Sequence, residues 1–181
     1  MKKPQSLRAH LLAAIPELCH DPDRILIFVD EGAVRSTMAN GLSFEYVYML
    51  TMILTDYAGD LVAVSIPVLD WVRINQSELM ANLDKVKSGI KFEAEILAND
   101  KVDLAIQMPL TERVIVKQTS EGLTVDYPDE PQYHKAEESK QVTLFDKDGT
   151  ELASWLSRDP QQEYFYKWLS LNFFPSTLMR Y

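Results

Sequence analysis

The most constraining feature of the sequence is residues 43–57, SFEYVYMLTMILTDY, in which large apolar residues recur at every second position. A period of two is that of a β-strand, whose successive side chains point to opposite faces. Several of the residues in between are β-branched, which strands favour. The segment predicts one long strand, with Phe44, Tyr46, Tyr48, Leu50, Met52 and Leu54 on one side and Thr51, Ile53 and Thr55 on the other.

Two other segments carry apolar residues at helical spacing. From Ser6 to about Leu18, apolar residues at 7, 11, 15 and 18 predict a helix packed on one side, which Pro16 bends or closes early. A second helix is predicted from Pro67, which suits the first position of a helix, to Gly89 at the latest. The apolar residues near one face of this second helix are Val68, Leu69, Val72, Leu79 and Leu83.

Shorter extended segments complete the predicted sheet. A continuous apolar run at 24–30 (RILIFVD) predicts a buried strand, which the polar stretch 31–36 then interrupts. A turn is predicted at 58–60, with 61–66 returning as a short strand. Further strands are predicted at 90–98 and 102–107, joined by a turn at Asn99-Asp100 and ended by Pro109, and at 114–117 and 123–127.

The order of these elements decides the fold class. The early strands follow one another without a helical crossover, so they are expected to be antiparallel neighbours rather than strands of a doubly wound sheet. We therefore expect an α+β fold: a mixed, mainly antiparallel sheet with two helices packed on it, plus a C-terminal hairpin and an aromatic extension.

The composition divides the chain into three parts. Residues 1–127 hold the predicted α+β core domain, and residues 128–140, rich in proline and acidic side chains, predict a linker. Residues 141–181 form the third part, which opens with a hairpin around the turn sequence DKDG. Its last segment, from Gln161 to Tyr181, carries seven aromatic residues. An extension that apolar is expected to cover its own domain or a neighbouring subunit.

Composition and charge exclude several classes of protein. With 46% hydrophobic and 25% charged residues, the chain has the balance of a globular protein. Its 18 basic residues face 27 acidic ones, and the formal net charge of −9 opposes binding to nucleic acid. A single cysteine, Cys19, excludes an intrachain disulfide. No stretch approaches the roughly 20 apolar residues that cross a bilayer, so no membrane partner is expected.

A search for catalytic chemistry finds no complete constellation. The three histidines stand in no HExxH or Cys/His zinc pattern, and the six glycines make neither a GxGxxG turn nor a phosphate-binding loop. Asp146, Asp148 and Glu151 resemble a calcium loop, but Gly149 comes too early for an EF-hand. We therefore expect no catalytic residue, no metal ligand and no cofactor.

Six blocks of sequence follow one another in a recognisable order: KPQSLRAHL (3–11), IFVDEG (27–32), LSFEYVYML (42–50), LTDYAGD (54–60), IPVLDWVRINQSELM (66–80) and MPLTERVIV (108–116). Together these blocks resemble a known family: the tail completion proteins, the gene R products of temperate contractile-tailed bacteriophages of the peduovirus type. The resemblance covers residues 1–126 and continues weakly through the hairpin that ends in Ala153-Ser154-Trp155. The segment after about Ser157 departs from the family pattern, so nothing is implied about its role.

The resemblance implies a structural, non-enzymatic virion protein that acts at the head-proximal end of the tail and is assembled in the bacterial host cytoplasm. The order of elements also resembles that of tail terminator proteins of other long-tailed phages. This second likeness implies a homo-oligomer, a hexameric ring that caps the tail tube, stops its growth and meets a neck or head-completion protein. The sheath is a further candidate partner, and DNA is expected only in passage through the ring lumen, which suits a net-negative subunit.

Candidate interface residues come from two segments. The polar stretch from Asp30 to Ser36 lies in a matching block and carries paired charges, so Asp30, Glu31 and Arg35 are candidates for a subunit contact. Aromatic side chains are enriched at interfaces, so C-terminal aromatics are candidates as well. Two other functions stay open: an adaptor docking through the aromatic segment, and a small hydrolase or nuclease using paired carboxylates such as Asp21/Asp23 or Asp30/Glu31. The aromatic candidates are Tyr164, Phe165, Trp168, Phe173 and Phe174.

Overall fold

The computed structural model describes residues 1–36, 41–87, 89–97, 101–132 and 140–157, with the backbone alone at Leu83. The helices are α1 (Lys3–Ala14), α2 (Pro16–His20), α3 (Val62–Asn75), α4 (Glu78–Ala81) and α5 (Leu83–Val86), with a 3₁₀ turn at Pro22–Arg24. The strands are β1 (Ile25–Ser36), β2 (Phe44–Tyr57), β3 (Lys91–Ile96), β4 (Val102–Thr119), β5 (Gly122–Asp126), β6 (Gln141–Phe145) and β7 (Glu151–Leu156).

The strands form one antiparallel sheet and one separate hairpin. The sheet has the order β1-β2-β4-β3, and β5 pairs with the far end of β4. Strands β6 and β7 pair only with each other. The predicted α+β class with a mainly antiparallel sheet is confirmed.

The core lies between one face of the sheet and the helices α1 and α3. The alternating apolar residues of β2 stand opposite those of β4, for example Leu50 opposite Met108. Leu7 and Leu11 of α1 belong to the same buried cluster as Val68 of α3. Each fully buried side chain of this size contributes about 1.5–3 kcal/mol. The face predicted for β2 is thus the face that the helices cover, and Tyr48, Leu50, Met52 and Leu54 are all buried on it.

The position of Pro16 determines where helix α1 ends. Helix α1 closes at Ala14 because Ile15 precedes Pro16, and the helical region is disfavoured for a residue before proline. Ile15 is accordingly extended (φ −110°, ψ 110°), and Pro16 opens α2 at a position where its missing N–H costs nothing. The helix begins at Lys3, earlier than predicted, so Ser6 lies inside it and its hydroxyl accepts a hydrogen bond from Trp71 Nε1 (3.1 Å).

Three strand predictions were wrong. Residues 62–66 are helical with Leu61 at the N-cap, and Pro67 is the sixth residue of α3 rather than its first, since a short apolar run does not distinguish strand from helix. Strand β1 continues through 31–36 and is mostly exposed rather than buried. Pro109 lies inside β4 because, among the described strands, only β2 pairs with that position: β3 pairs with β4 as far as Gln107, and β5 pairs with it from Ile115 onward. A sheet tolerates proline where the strand edge is open.

The C-terminal hairpin has the predicted bounds and packs on the helical layer. Ala153 and Trp155 of β7 belong to the main core cluster, and Trp155 Nε1 donates to Asp70 Oδ2 of α3 (2.8 Å). The start of the predicted linker also contacts the core, since Gln132 Nε2 donates to the carbonyl oxygen of Ile74 (2.9 Å). The three-part division of the chain stays a prediction, because 133–139 and 158–181 lie outside the described residues.

Tyr57, at the end of β2, makes the stability of the fold sensitive to alkaline pH. Burial, reinforced by the nearby carboxylates of Glu17 and Asp60 and partly opposed by Arg24, raises the pKa of its phenol to about 12. A group whose folded pKa lies above its unfolded value contributes stability that is fully present below the unfolded value, here 10.0. This contribution is lost as the pH rises from about 10 toward 12.

We expect Tyr57→Phe to flatten the fall in stability between pH 9.5 and 11.5. Urea unfolding of both proteins across that range measures the difference in slope. Comparing them at each pH cancels the contributions of Tyr48, whose pKa burial also raises, and of Lys3, whose pKa burial lowers. Equal slopes in the two proteins would contradict the assignment to Tyr57.

Candidate interaction surface

The predicted contact residues Asp30, Glu31 and Arg35 lie on an edge strand. All three are exposed, and among the described strands β1 pairs with β2 alone, which leaves its other side open. The apolar residues before them are also open to solvent: Leu26 is 43% exposed and Phe28 is 47% exposed. Edge strands that are long and apolar recruit other strands unless something blocks them.

A β-bulge interrupts this edge where the sequence analysis predicted a break. Asp30 stands opposite Met49 and Ala33 opposite Val47, so Glu31 and Gly32 together oppose the single residue Tyr48. Glu31 takes the left-handed conformation (φ 51°), which residues with a Cβ rarely adopt. Asp30 is held on the sheet surface, where its carboxylate accepts a hydrogen bond from Thr51 Oγ1 (3.0 Å). A bulge bends its strand and increases the local twist.

The left-handed backbone at Glu31 predicts that glycine is more stable than alanine at this position, the reverse of the usual order in a strand. We expect Glu31→Gly to be more stable than Glu31→Ala by about 1 kcal/mol, since only the alanine carries a Cβ into that conformation. Thermal unfolding of the two variants measures the difference. The matched control is Val34, an exposed residue of the same strand without positive φ. There glycine should be the less stable of the pair, and the same order at both positions would exclude strain at Glu31.

Arg35 belongs to a row of alternating charges across three strands. Its partner on β2 is Glu45, and the partner of Glu45 on β4 is Arg113. Opposite charges on directly facing residues stabilise a sheet by a few tenths of a kcal/mol. Arg35 is the outermost member of this row, because its strand β1 lies at the edge of the sheet.

The opposite edge of the sheet was not predicted as a contact surface. All six residues of β3 are exposed, and two large apolar side chains are nearly bare, Phe92 at 69% and Ile96 at 82%. They lie in register with Ile106 and Val102 of β4, on the face that the helices cover elsewhere. The alternation of 91–96 (KFEAEI) indicated a strand with an apolar side, but it did not indicate that this side lacks cover.

The aromatic candidates cannot be placed on either edge. Tyr164, Phe165, Trp168, Phe173 and Phe174 lie outside the described residues, so their role stays a prediction.

The acidic clusters have structural explanations. Asp146 Oδ1 accepts hydrogen bonds from the backbone N–H groups of Asp148 and Thr150 (2.8 Å each), and this bonding lowers the pKa of the carboxyl. Asp146 therefore closes the hairpin turn in the manner of an Asx turn. Within the described ranges, no group of three or more His, Cys, Asp or Glu side chains is placed to hold a metal ion.

A buried polar network anchors the amino-terminal helix to β4. The carboxylate of Glu112 accepts hydrogen bonds from Tyr48 Oη (2.5 Å) and from the backbone N–H groups of Lys2 (2.7 Å) and Lys3 (3.3 Å). Lys3 Nζ donates to Gln76 Oε1 (2.7 Å), to the Thr111 carbonyl (2.6 Å) and to Glu130 Oε1 (2.8 Å).

Every member of this network has a partner. No buried side-chain nitrogen or oxygen lacks a hydrogen bond among the residues that the structure describes. A saturated network of this kind holds the elements that it joins in one arrangement. Sequence reasoning missed it because Lys3 and Glu112 are far apart in the chain and carry no local signature.

The sequence model of the family described as P2 phage tail completion protein R (GpR) matches residues 1–131. The chain belongs to this family. Tail completion protein R of Escherichia phage P2 is 41% identical over 131 residues, which are 72% of this chain and 84% of that protein. No solved structure matches the chain.

The family assignment confirms the resemblance seen in the sequence. The chain is a phage tail completion protein, a structural component of the virion. The matched region of this tail completion protein contains α1 to β5, and therefore both exposed sheet edges and the network around Glu112. In the part of the chain that can be described, no helix is long and apolar enough to span a membrane.

Proposed function

We propose that this tail completion protein caps the head-proximal end of the tail tube, stops its growth and prepares the tail for joining to the head. The observation that carries the proposal is the family match over residues 1–131, the region that forms the whole main sheet and its helical layer. The role is structural and needs no cofactor. The tail tube lies below the cap and a neck or head-completion protein above it, with the sheath as a further candidate partner.

The capping unit in this proposal is a hexameric ring of identical subunits. A ring needs heterologous contacts, in which one surface of a subunit meets a different surface of the next. The subunit has two different open edges, β1 and β3, at opposite sides of one sheet. The net charge of −9 suits a lumen through which DNA passes without being held.

Electron microscopy of tails from particles lacking the gene tests the proposal. We expect such tails to have irregular lengths and no head-proximal cap, and we expect purified protein to restore the cap and head joining. Normal, head-joined tails in the absence of the gene would overturn the capping role and favour an adaptor function.

Arg35 and the bulge residues are proposed contributors to the subunit contact. We expect Arg35→Glu to lower the yield of completed tails several-fold. The substitution places a second carboxylate directly opposite Glu45, next to the open edge of the sheet. Complementation of the gene deletion measures the yield. Lys117→Glu, an exposed charge reversal on the distal part of β4, is the matched control. Equal yields from both variants would remove Arg35 from the contact.

A further inference from the structure

We infer that the main sheet continues from one subunit to the next, with β1 of one copy pairing antiparallel with β3 of its neighbour. The inference rests on the proposed ring of identical subunits and names the contact that builds it. Among the described strands, both are open edges of the same sheet. Both carry apolar side chains that are exposed in the single subunit and that a neighbouring strand would cover.

The direction of the strands fits this pairing. In the order β1-β2-β4-β3 every neighbour is antiparallel, so β3 runs opposite to β1. A second copy placed beside β3 in the same orientation therefore presents its β1 antiparallel to β3. The helices of both copies then lie on the same side of one continuous sheet, and the rule of antiparallel neighbours is kept throughout.

The unpaired backbone groups of the two edges also fit each other. In an antiparallel sheet, successive residues of a strand direct their N–H and C=O groups to opposite sides. Just after β3, Leu97 N donates to Lys101 O (2.8 Å), so 97, 95, 93 and 91 direct these groups toward β4. Phe92, Ala94 and Ile96 consequently direct theirs to the open edge.

Following the same alternation across β4 and β2 identifies which residues of β1 have unpaired backbone N–H and C=O groups. The residues of β1 that direct their backbone groups away from β2 are Ile25, Ile27 and Val29. Pro109 agrees with this assignment, because the alternation directs its missing N–H toward the side of β4 that no described strand covers. The three open residues of β1 lie on the same face as the three open residues of β3, the face that the helices cover.

Charge and side-chain matching select one register. With Val29 opposite Phe92, the next pairs are Ile27 with Ala94 and Ile25 with Ile96, so the exposed apolar side chains of β3 meet apolar partners. On the other face this register places Asp30 opposite Lys91, an acid opposite a base. A shift by two residues in one direction places Asp30 opposite Glu93, and a shift in the other direction leaves Asp30 beyond the end of β3.

Disulfide cross-linking tests both the contact and its register. In the inferred register Phe28 faces Glu93 in a pair without backbone hydrogen bonds, where Cα atoms lie about 4.5 Å apart, a separation that a disulfide spans. The full-length protein is used with its native Cys19 replaced by serine. We expect F28C mixed with E93C to form a disulfide dimer on mild oxidation, and the double variant F28C/E93C to form a ladder of oligomers.

Two matched pairs control for register. L26C with E95C lies in the inferred register and should cross-link as well as the first pair. L26C with E93C is displaced by two residues and should give no more than about a tenth of that yield. Dimers from F28C alone would instead show β1 pairing with β1 of another copy. If no pair cross-links although both thiols react with a maleimide, the edge is not paired with a second copy, and residues 158–181 of the same chain become the candidate that covers it. Either result would overturn the inference.

Cross-linking within assembled tails separates this inference from the proposed function. Variants that restore completed tails but give no F28C/E93C cross-link would refute the contact and leave the capping role intact. Cross-links in purified protein, with no subunit found in tails, would refute the capping role and leave the contact intact. We expect both the cross-linked ladder and incorporation into tails.

Discussion

Replacing Glu112 with alanine is expected to destabilise the folded protein by about 3–5 kcal/mol, because two buried donors and one partly buried donor lose their acceptor and each buried donor left unsatisfied costs about 1–3 kcal/mol. The donors are Tyr48 Oη and the backbone N–H groups of Lys2 and Lys3. Part of the sum is recovered if water enters the space. Lys3 keeps its ion pair with Glu130, so the loss is not that of a bare buried charge.

Urea unfolding at neutral pH measures the effect. Glu112→Gln retains one acceptor oxygen at the same position and should lose only about 1–2 kcal/mol. Glu121→Ala, at the exposed turn between β4 and β5, is the control and should change stability by less than about 0.5 kcal/mol. A loss below about 1 kcal/mol for Glu112→Ala would mean that the network does not anchor the amino-terminal helix.

The second large effect is expected at Trp155, where the C-terminal hairpin joins the core. Trp155→Ala removes a buried aromatic side chain and its hydrogen bond to Asp70 Oδ2, while Asp70 keeps its ion pair with Arg73; truncations of this kind cost about 3–5 kcal/mol. Because Ala153 and Trp155 share one core cluster with α1 and α3, we expect a single unfolding transition that moves as a whole.

Phe145→Ala is the matched control on the same hairpin. Phe145 is exposed, so its truncation should cost less than about 0.5–1 kcal/mol. Circular dichroism and tryptophan fluorescence followed in one urea titration distinguish the outcomes. Two separate transitions in the wild-type protein would show that the hairpin folds as an independent unit, as the three-part division of the sequence predicts.

The parts of the fold that were predictable are those in which a short stretch of chain carries its own signal. Strand β2 was predictable because large apolar residues occupy six successive alternate positions, from Phe44 to Leu54, a pattern that a helix does not produce. The β6–β7 hairpin was predictable because DKDG supplies turn chemistry between two apolar runs, and Asp146 makes the turn bonds that this composition favours. Pro16 likewise acts on the residue beside it.

The errors arose where the outcome depends on distant neighbours. The run at 24–30 was predicted to be a buried strand because apolar side chains are usually covered, but the sequence does not show whether the covering element belongs to the same chain. The sequence of residues 61–66 is compatible with strand or helix, and packing of this segment in the helical layer over the sheet determines the helical conformation. Pro109 was predicted to end a strand, but proline disrupts a sheet only where its N–H would have been needed.

The candidate surface was predicted in part. Asp30, Glu31 and Arg35 are exposed on an edge strand, as a contact site requires, although the segment is a bulged strand rather than a loop. The edge at β3 was missed because exposure of Phe92 and Ile96 follows from the helices stopping short of that strand. Nothing local to 91–96 encodes the extent of the helical layer.

The network around Glu112 has a further consequence, for the order in which the chain folds. The bond from Lys2 N to Glu112 joins residues that are 110 positions apart, so the first helix to leave the ribosome acquires its anchor only after most of the chain has followed it. Contacts of such long sequence separation form late because closing the intervening loop costs entropy. We therefore expect the anchoring of the first helix on β4 to be a late step in folding.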